Sequence, residues 1–125
     1  MFGKSTGKLE SIIGAESHFK GEIETKGTIR VDGGVEGNIK ADWVVIGETA
    51  MIRGDVEARG IIVGGRVEGN LRGKEIVELK NKGNVSGEIF SNKLTVAEGA
   101  VFEGKSFMKR EEQKVVELPS KEKSG

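Results

Sequence analysis

The chain has no cysteine and one proline among its 125 residues, and its 20 Lys and Arg balance its 20 Asp and Glu. Without cysteine, it cannot form a disulfide bond or a thiolate metal site. A formal net charge of zero excludes a general electrostatic attraction to nucleic acid or to an acidic membrane surface. No apolar run approaches the ~20 residues that span a bilayer, and no signal-peptide core is present, so we expect a cytoplasmic location.

Glycine is abundant, with 20 residues, and it recurs at regular distances. The pattern apolar–any–Gly occurs six times, with spacings of 16, 17, 15, 18 and 17 residues between successive glycines. These glycines are Gly21, Gly37, Gly54, Gly69, Gly87 and Gly104. The nearly identical stretches VDGGVEGNI (31–39) and VGGRVEGNL (63–71) belong to two of these units. A sustained repeat of this kind is typical of stacked architectures.

Apolar and polar residues alternate within each unit, as they do around Ile52, Gly54 and Val56. A second apolar stripe precedes the glycines and consists of Ile13, Val31, Ile46, Val63, Leu79 and Val96. Period two predicts strands with one buried face, and a single unit of ~17 residues cannot bury that face alone. Stacked units bury a continuous column, so we predict an all-β fold, a single-stranded parallel β-helix of about six turns.

Residues at the outward positions test this alignment independently. The residue before each glycine alternates in sign over the first four units, and so does the residue three positions after it, in opposite phase. Stacked rungs lie under ~5 Å apart, where unlike charges are favourable. The two charge ladders are Lys20, Glu36, Arg53, Glu68 and Glu24, Lys40, Glu57, Arg72, and the second continues into Phe90 and Phe107. The glycine pairs at 33–34 and 64–65 are expected to adopt positive φ in tight turns.

The six-rung pattern resembles the bactofilins, a family of small bacterial cytoskeletal proteins. The resemblance covers nearly all of residues 1–108 and is carried by MFGK at the start, GTIRVDGGVEGNI, VVIGETAMIRGDV, GGRVEGNL and LTVAEGAVFEGKSFM. It implies a right-handed β-helix, here residues 12–108, between an N-terminal tail, 1–11, and a disordered charged C-terminal tail, 109–125. It also implies nucleotide-independent assembly into non-polar filaments, peripheral association with the cytoplasmic face of the inner membrane, and a scaffold role in cell shape. Cell-wall-modifying enzymes or other envelope proteins are the client proteins that the resemblance suggests.

A β-helix has two open ends, where backbone groups and apolar core would be exposed. The sequence offers no amphipathic helix as a cap, so we expect a second copy to cover each end in an isologous contact. The predicted polymer interface consists of Phe90, Phe102, Phe107, Met108 and Phe19. Two adjacent exposed aromatic residues form a patch that monomers rarely leave open. The alternatives are plain core packing for Phe19 and a lid of folded-back C-terminal tail over Phe90 and Phe107.

The first eight residues, MFGKSTGK, combine two apolar side chains with two cations. The segment is too short to span a bilayer or to form an interfacial helix. We predict that Met1, Phe2, Lys4 and Lys8 bind inner-membrane lipid, and the alternative is a terminus without function.

No catalytic, cofactor-binding or metal site is predicted, and we expect a structural protein that binds neither nucleotide nor nucleic acid. No phosphate loop opens a helix, and the single histidine, His18, is expected at a solvated corner. A hexapeptide-repeat acyltransferase is disfavoured because Ile46 and Ile52 fit a six-residue repeat but Ala58 and Gly64 continue it poorly. A β-solenoid that binds a partner without polymerising is the other alternative, and filament formation would separate it from the cytoskeletal reading.

Overall fold

The computed structural model describes residues 9–108, with side chains from residue 13 onward. This range contains strands and turns and no helix, which confirms the predicted all-β class. The strands are β1 (Leu9–Ile13), β2 (His18–Lys20), β3 (Ile23–Glu24), β4 (Thr28–Val31), β5 (Gly34–Glu36), β6 (Ile39–Lys40), β7 (Trp43–Ile46), β8 (Met51–Arg53), β9 (Val56–Val63), β10 (Arg66–Glu68), β11 (Leu71–Leu79), β12 (Asn84–Ser91), β13 (Leu94–Val96) and β14 (Val101–Met108). The first strand begins within the segment that the sequence assigned to the N-terminal tail.

The described strands pair in parallel throughout and stack on three faces. Face A consists of β1, β4, β7, residues 60–63, residues 76–79 and β13. Face B consists of β2, β5, β8, β10, residues 84–86 and residues 101–103. Face C consists of β3, β6, residues 56–58, residues 71–73, residues 89–91 and residues 106–108. One pass of the chain over the three faces is a rung of a parallel β-helix.

We number the rungs 1 to 6, in the order 9–24, 28–40, 43–58, 60–73, 76–91 and 94–108. The sequence alignment predicts the strand register correctly: both charge ladders are formed by register partners. Lys20 Nζ lies 3.7 Å from Glu36 Oε1, and Arg53 Nε lies 3.5 Å from Glu68 Oε1. The sequence predicts about six turns, and five turns separate the first and last of the repeated glycines. The β-helix therefore has about five complete turns, slightly fewer than predicted.

The apolar column side chains form one continuous core between the three faces. Its members have relative exposures of 0–4% and are Ile29, Val31, Val35, Ile39, Val44, Ile46, Ala50, Ile52, Val56, Ala58, Ile61, Val63, Val67, Leu71, Val77, Leu79, Val85 and Ile89. Full burial of a Val, Leu or Ile side chain contributes roughly 1.5–3 kcal/mol. All of these residues belong to rungs 2 to 5, because only an inner rung has a neighbour on both sides.

The repeated glycines turn the chain between faces B and C. Their φ angles lie between 137° and 150°, a region that L side chains rarely adopt. A Cβ at Gly54 would also overlap the carbonyl oxygen of Gly37 in the preceding rung. The expectation of positive φ at the glycine pairs 33–34 and 64–65 is wrong, since neither pair is among the described positive-φ glycines. Gly33 and Gly65 serve close approach instead, because a Cβ there would overlap backbone oxygens of the preceding rung.

A column of polar side chains follows these glycines and satisfies backbone donors that the turn leaves unpaired by the backbone ladder. The backbone N–H of Asp55 donates to Asn38 Oδ1, that of Asn70 to Asp55 Oδ1, and that of Glu88 to Asn70 Oδ1, each at 3.1 Å. Because an unpaired backbone donor is costly, this column helps to hold adjacent rungs in register.

Candidate polymerisation surfaces

Rung 6 forms the C-terminal end surface, with Leu94, Val96, Phe102 and Met108 continuing the core columns of rung 5. Val96 is 48% exposed, whereas its register partner Leu79 is 0% exposed. Among the described strands, β13 pairs only with β11 and β14 only with β12. Apolar side chains and a row of backbone groups are therefore open together at this end.

Rung 1 forms the N-terminal end surface. Its inward side chains Ile13, Phe19 and Ile23 are partly buried and pack against the core. Phe19 is the register partner of Val35, which is 1% exposed. Among the described strands, β2 pairs only with β5 and β3 only with β6. Phe19 thus occupies a core column at a point where that column opens to solvent.

An aromatic stack lies beside the C-terminal end surface, on the outside of face C. The rings of Phe90 and Phe107 are stacked, with centroids 4.8 Å apart and planes 14° from parallel. The guanidinium of Arg72 lies 4.5 Å from the centroid of Phe90, within the range of a cation–π interaction. Phe107 is 43% exposed and belongs to the last rung. The second charge ladder therefore ends in an aromatic face that is available to a further ring.

The five residues predicted for the polymer interface fall at the two ends of the β-helix. Phe102 and Met108 lie on the C-terminal end surface, Phe90 and Phe107 form the aromatic stack beside it, and Phe19 lies on the N-terminal end surface. Met1, Phe2, Lys4 and Lys8, predicted to bind lipid, lie outside the described residues. The C-terminal tail that could form a lid, 109–125, also lies outside them.

Sequence reasoning missed a second kind of surface on the outside of face A. The side chains of Trp43, Val45, Ile62 and Ile76 are half-buried and point away from the core, beside fully buried neighbours in the same strands. We call these four residues the lateral patch. The signal for it was present as continuous apolar runs in WVVI and IIV. Such runs predict strands covered on both faces, whereas alternation predicts one exposed face.

An ion-pair cluster borders the lateral patch. Arg59 donates to both carboxylate oxygens of Asp42 at 3.0 Å, and its Nη1 lies 3.5 Å from Glu75 Oε2. The hydrogen bonds from Arg59 hold the pKa of the Asp42 carboxyl below its ordinary value. Arg59 Cζ also lies 6.0 Å from the centroid of the Trp43 ring, and the ring covers Gly60, where a Cβ would overlap it. The cluster ties rungs 3, 4 and 5 together on this edge.

The described range offers few features of a chemical site. His18 is exposed, as expected, in an outward column with Gly34 and Met51. No group of three or more metal-ligating side chains is placed together between residues 9 and 108. In the same range, no helix has the length and apolarity to cross a membrane. The prominent surfaces of this structure are therefore its two ends and the lateral patch.

A parallel β-helix whose apolar core is open at both ends defines a class of rod-like proteins that associate through their ends. The sequence model of the family described as "Bactofilin: Polymer-forming cytoskeletal" matches residues 11–106. The chain belongs to the bactofilin family, a family of polymer-forming cytoskeletal proteins. The resemblance drawn from the repeated units is thereby confirmed.

Relatives and a solved structure agree with this assignment. Bactofilin BacO of Myxococcus xanthus (strain DK1622) is 28% identical over 111 residues, which cover 88% of this chain and 88% of BacO. Bactofilin BacP of the same organism is 28% identical over 96 residues, and the match spans 76% of this chain but 40% of BacP. A cryo-EM reconstruction of Thermus thermophilus bactofilin double helical filaments superposes with a TM-score of 0.73 at 28% identity, covering 79% of this chain and 99% of that one.

Proposed function

We propose that this chain is the subunit of a bacterial cytoskeletal scaffold and polymerises end to end through the two open ends of its β-helix. The observation that carries the proposal is the change in exposure along a core column, from 0% at Leu79 in rung 5 to 48% at Val96 in rung 6. A second subunit stacked on rung 6 would cover Val96 and supply partners for the free backbone groups of β13 and β14. The same reasoning applies to Phe19 and Ile23 at the other end.

The contacts join like ends, so the filament has no polarity. An isologous contact at the C-terminal end brings the aromatic stack of one subunit toward that of the next, with Phe107 on both sides. This arrangement matches apolar surface with apolar surface, and the charge ladders of the inner rungs stay outside the junction. A parallel edge also has free donors and acceptors, which an adjoining subunit can satisfy.

Assembly on this proposal requires no nucleotide, metal or cofactor, and the chain is not an enzyme. Its driving force is burial of apolar side chains such as Val96 and Phe102 together with pairing of open strand edges, both of which are complete within the polypeptide. Membership of a polymer-forming cytoskeletal family supports this reading.

We further propose that the filament lies on the cytoplasmic face of the inner membrane and organises cell shape or cell-envelope proteins. Insertion of Met1 and Phe2 would contribute a few kcal/mol at most, and Lys4 and Lys8 about 1 kcal/mol each near anionic lipid. One subunit would therefore bind weakly. A filament presents many such segments on one rod, so later segments bind at high effective concentration. Envelope proteins such as cell-wall-modifying enzymes are the proposed partners.

The test of end-to-end assembly uses two neighbouring residues of β13. Val96→Lys places a charge on the C-terminal end surface, where assembly would have to desolvate it without a partner. Thr95→Lys adds the same charge in the same strand, but Thr95 points away from the core and stacks on Glu78. We expect short species, at most dimers joined at their N-terminal ends, from Val96→Lys and full-length filaments from Thr95→Lys, as measured by sedimentation and negative-stain microscopy.

The same preparation tests the energy source. Filaments of the wild-type chain are expected to persist after removal of nucleotide and divalent ions at constant ionic strength. Dissolution under those conditions, or filaments of normal length from Val96→Lys, would contradict the proposal.

A further inference from the structure

The outside of face A differs from the outsides of faces B and C. In rungs 2 to 5, faces B and C carry mainly charged and amide side chains, with Met51 and Phe90 as the larger apolar exceptions. On face A, the lateral patch places its four apolar side chains in adjacent rungs. Because it lies on the side of the rod, an end-to-end filament would leave it uncovered and would repeat it along its length. A repeated exposed apolar patch indicates an interaction surface.

The column through the centre of this surface has opposite charges at its two ends. Its register partners, from rung 2 to rung 5, are Arg30, Val45, Ile62 and Glu78. The order is thus cation, apolar, apolar, anion. If this column is turned end for end and laid against itself, Arg30 meets Glu78 and Val45 meets Ile62.

The two flanking columns have the same property. On one side, the residues that follow the buried stripe are Asp32, Gly47, Gly64 and Lys80, so reversal sets an anion against a cation and glycine against glycine. On the other side, the register partners are Thr28, Trp43, Gly60 and Ile76, so reversal sets the Trp43 indole against the edge that bears Gly60. Three independent columns are therefore complementary under one operation, a two-fold axis parallel to the strands that passes between rungs 3 and 4.

Ion pairs within the chain hold the charged corners in place for this contact. Arg30 Nε lies 2.9 Å from Asp32 Oδ2, and Lys80 Nζ lies 3.2 Å from Glu78 Oε2. Along the strand direction, rung 2 presents a cation followed by an anion, and rung 5 presents an anion followed by a cation. A parallel pairing centred on the same column would instead set Arg30 against Arg30 and Glu78 against Glu78, which is unfavourable for close like charges.

We propose that face A is the surface through which a filament of this protein binds a second filament of the same protein, with the two facing subunits antiparallel and related by that two-fold axis. Arg30 then contacts Glu78 of the partner subunit, Asp32 contacts Lys80 of the partner subunit, and Val45 packs against Ile62 of the partner subunit. This inference rests on the proposed filament function. The double helical filaments reported for the Thermus thermophilus relative support a lateral partner of this kind. Many weak contacts along two rods sum to a stable pair of filaments.

Cross-linking tests the register directly, because the natural chain has no cysteine. Filaments are co-assembled from Arg30→Cys and Glu78→Cys chains and treated with a bismaleimide of about 10 Å, the usual spacing of packed sheets. Residues 30 and 78 are three rungs apart, about 14 Å, so neither single variant can bridge the two-fold axis to its own copy. We expect cross-linked dimers in the mixture at several times the yield of either variant alone, with peptides 30 and 78 joined by mass spectrometry.

A matched pair on another face is the control. Glu36→Cys and Ser86→Cys lie on face B in the same two rungs, and their mixture should give no such excess. An equal yield from the face B mixture, or a preference for like cross-links in the single variants, would overturn the antiparallel register.

Microscopy separates this inference from the filament proposal. Ile62→Glu should leave long single filaments, because it sets a carboxylate against Val45 of the partner subunit, whereas Met51→Glu, an outward apolar residue on face B, should leave paired filaments. If no variant and no wild-type sample forms filaments, the proposed function itself fails. If wild-type filaments form but remain single, or if Ile62→Glu filaments remain paired, only the lateral inference is refuted. A pure wild-type protein that stays single would direct the patch to a different partner.

Discussion

Substitution of Phe107 by arginine tests the chemistry of the proposed C-terminal junction. A Phe side chain buries roughly 150–250 Å², and Phe107 is 43% exposed, so covering it removes about 65–110 Å² from water. At ~25 cal/mol per Å², this burial contributes about 2 kcal/mol per subunit. An isologous junction contains two copies, so it loses about 4 kcal/mol, roughly a thousandfold in association constant.

The substituted residue adds a second penalty. Phe107→Arg places a guanidinium beside Phe90 and Arg72, and assembly would bring two such groups together without an anion. We expect a folded monomer, or a dimer joined at its N-terminal end, with the β-rich circular dichroism of the wild type. Sedimentation velocity measures the assembly state, and circular dichroism reports the fold.

Ser86→Arg is the matched control for the added charge. Ser86 is exposed on face B between its register partners Glu68 and Glu103, so an arginine there is well placed, and filaments should form normally. Filaments of normal length from Phe107→Arg would refute the reasoning about the aromatic stack. Loss of the fold in Phe107→Arg would instead favour a lid of C-terminal tail over Phe90 and Phe107.

Three further predictions follow from other parts of the chain. A variant that lacks residues 2–8 should still form filaments but should remain at the bottom of a flotation gradient with anionic vesicles, whereas wild-type filaments float; equal flotation would place the anchor elsewhere. Gly54→Ala should lower the free energy of unfolding by at least about 2 kcal/mol, because its φ of 146° is strained for alanine and its Cβ would overlap a carbonyl oxygen, while Gly14→Ala, which meets only an ordinary contact, should change it by less than about 0.5 kcal/mol in chemical denaturation. Arg59→Gln should raise the pKa of Asp42 toward its ordinary value in an NMR titration, since the Arg59 hydrogen bonds lower it; the pair stabilises the fold above that ordinary value and its contribution is lost as the pH falls through the lowered pKa, so an unchanged Asp42 titration would show that the pair does not persist in solution.

Much of the fold could be predicted from the sequence because a stacked β-helix converts spacing along the chain into contacts in space. Once the glycine repeat is aligned, the residue one unit later is the neighbour one rung later, about 4.8 Å away. The charge ladders through Arg53 and Glu57, the stripe through Ile46, and the contact of Phe90 with Phe107 all follow from this single operation, and each is a register pair in the structure. The same alignment placed Phe19 and Phe102 at the ends of core columns.

Features that depend on the path of the backbone within a rung could not be obtained by alignment. Positive φ was expected at the glycine pairs but belongs to the repeated single glycines, because the steric need at each point is set by the rung before it, as at Gly54 against Gly37. The acceptor roles of Asn38 and Asp55 likewise depend on which backbone N–H the turn leaves free.

The sequence by itself determined the columns, since side-chain alternation and repeat length are properties of the chain alone. Only the tertiary structure decided which columns share a face and which of those faces is apolar on its outside. Val45 and Ile62 are ordinary β-branched residues of two hydrophobic runs until three strands fold about the same axis. Only then do they lie together between Arg30 and Glu78, because a surface is formed by segments that are distant in sequence and adjacent in the sheet.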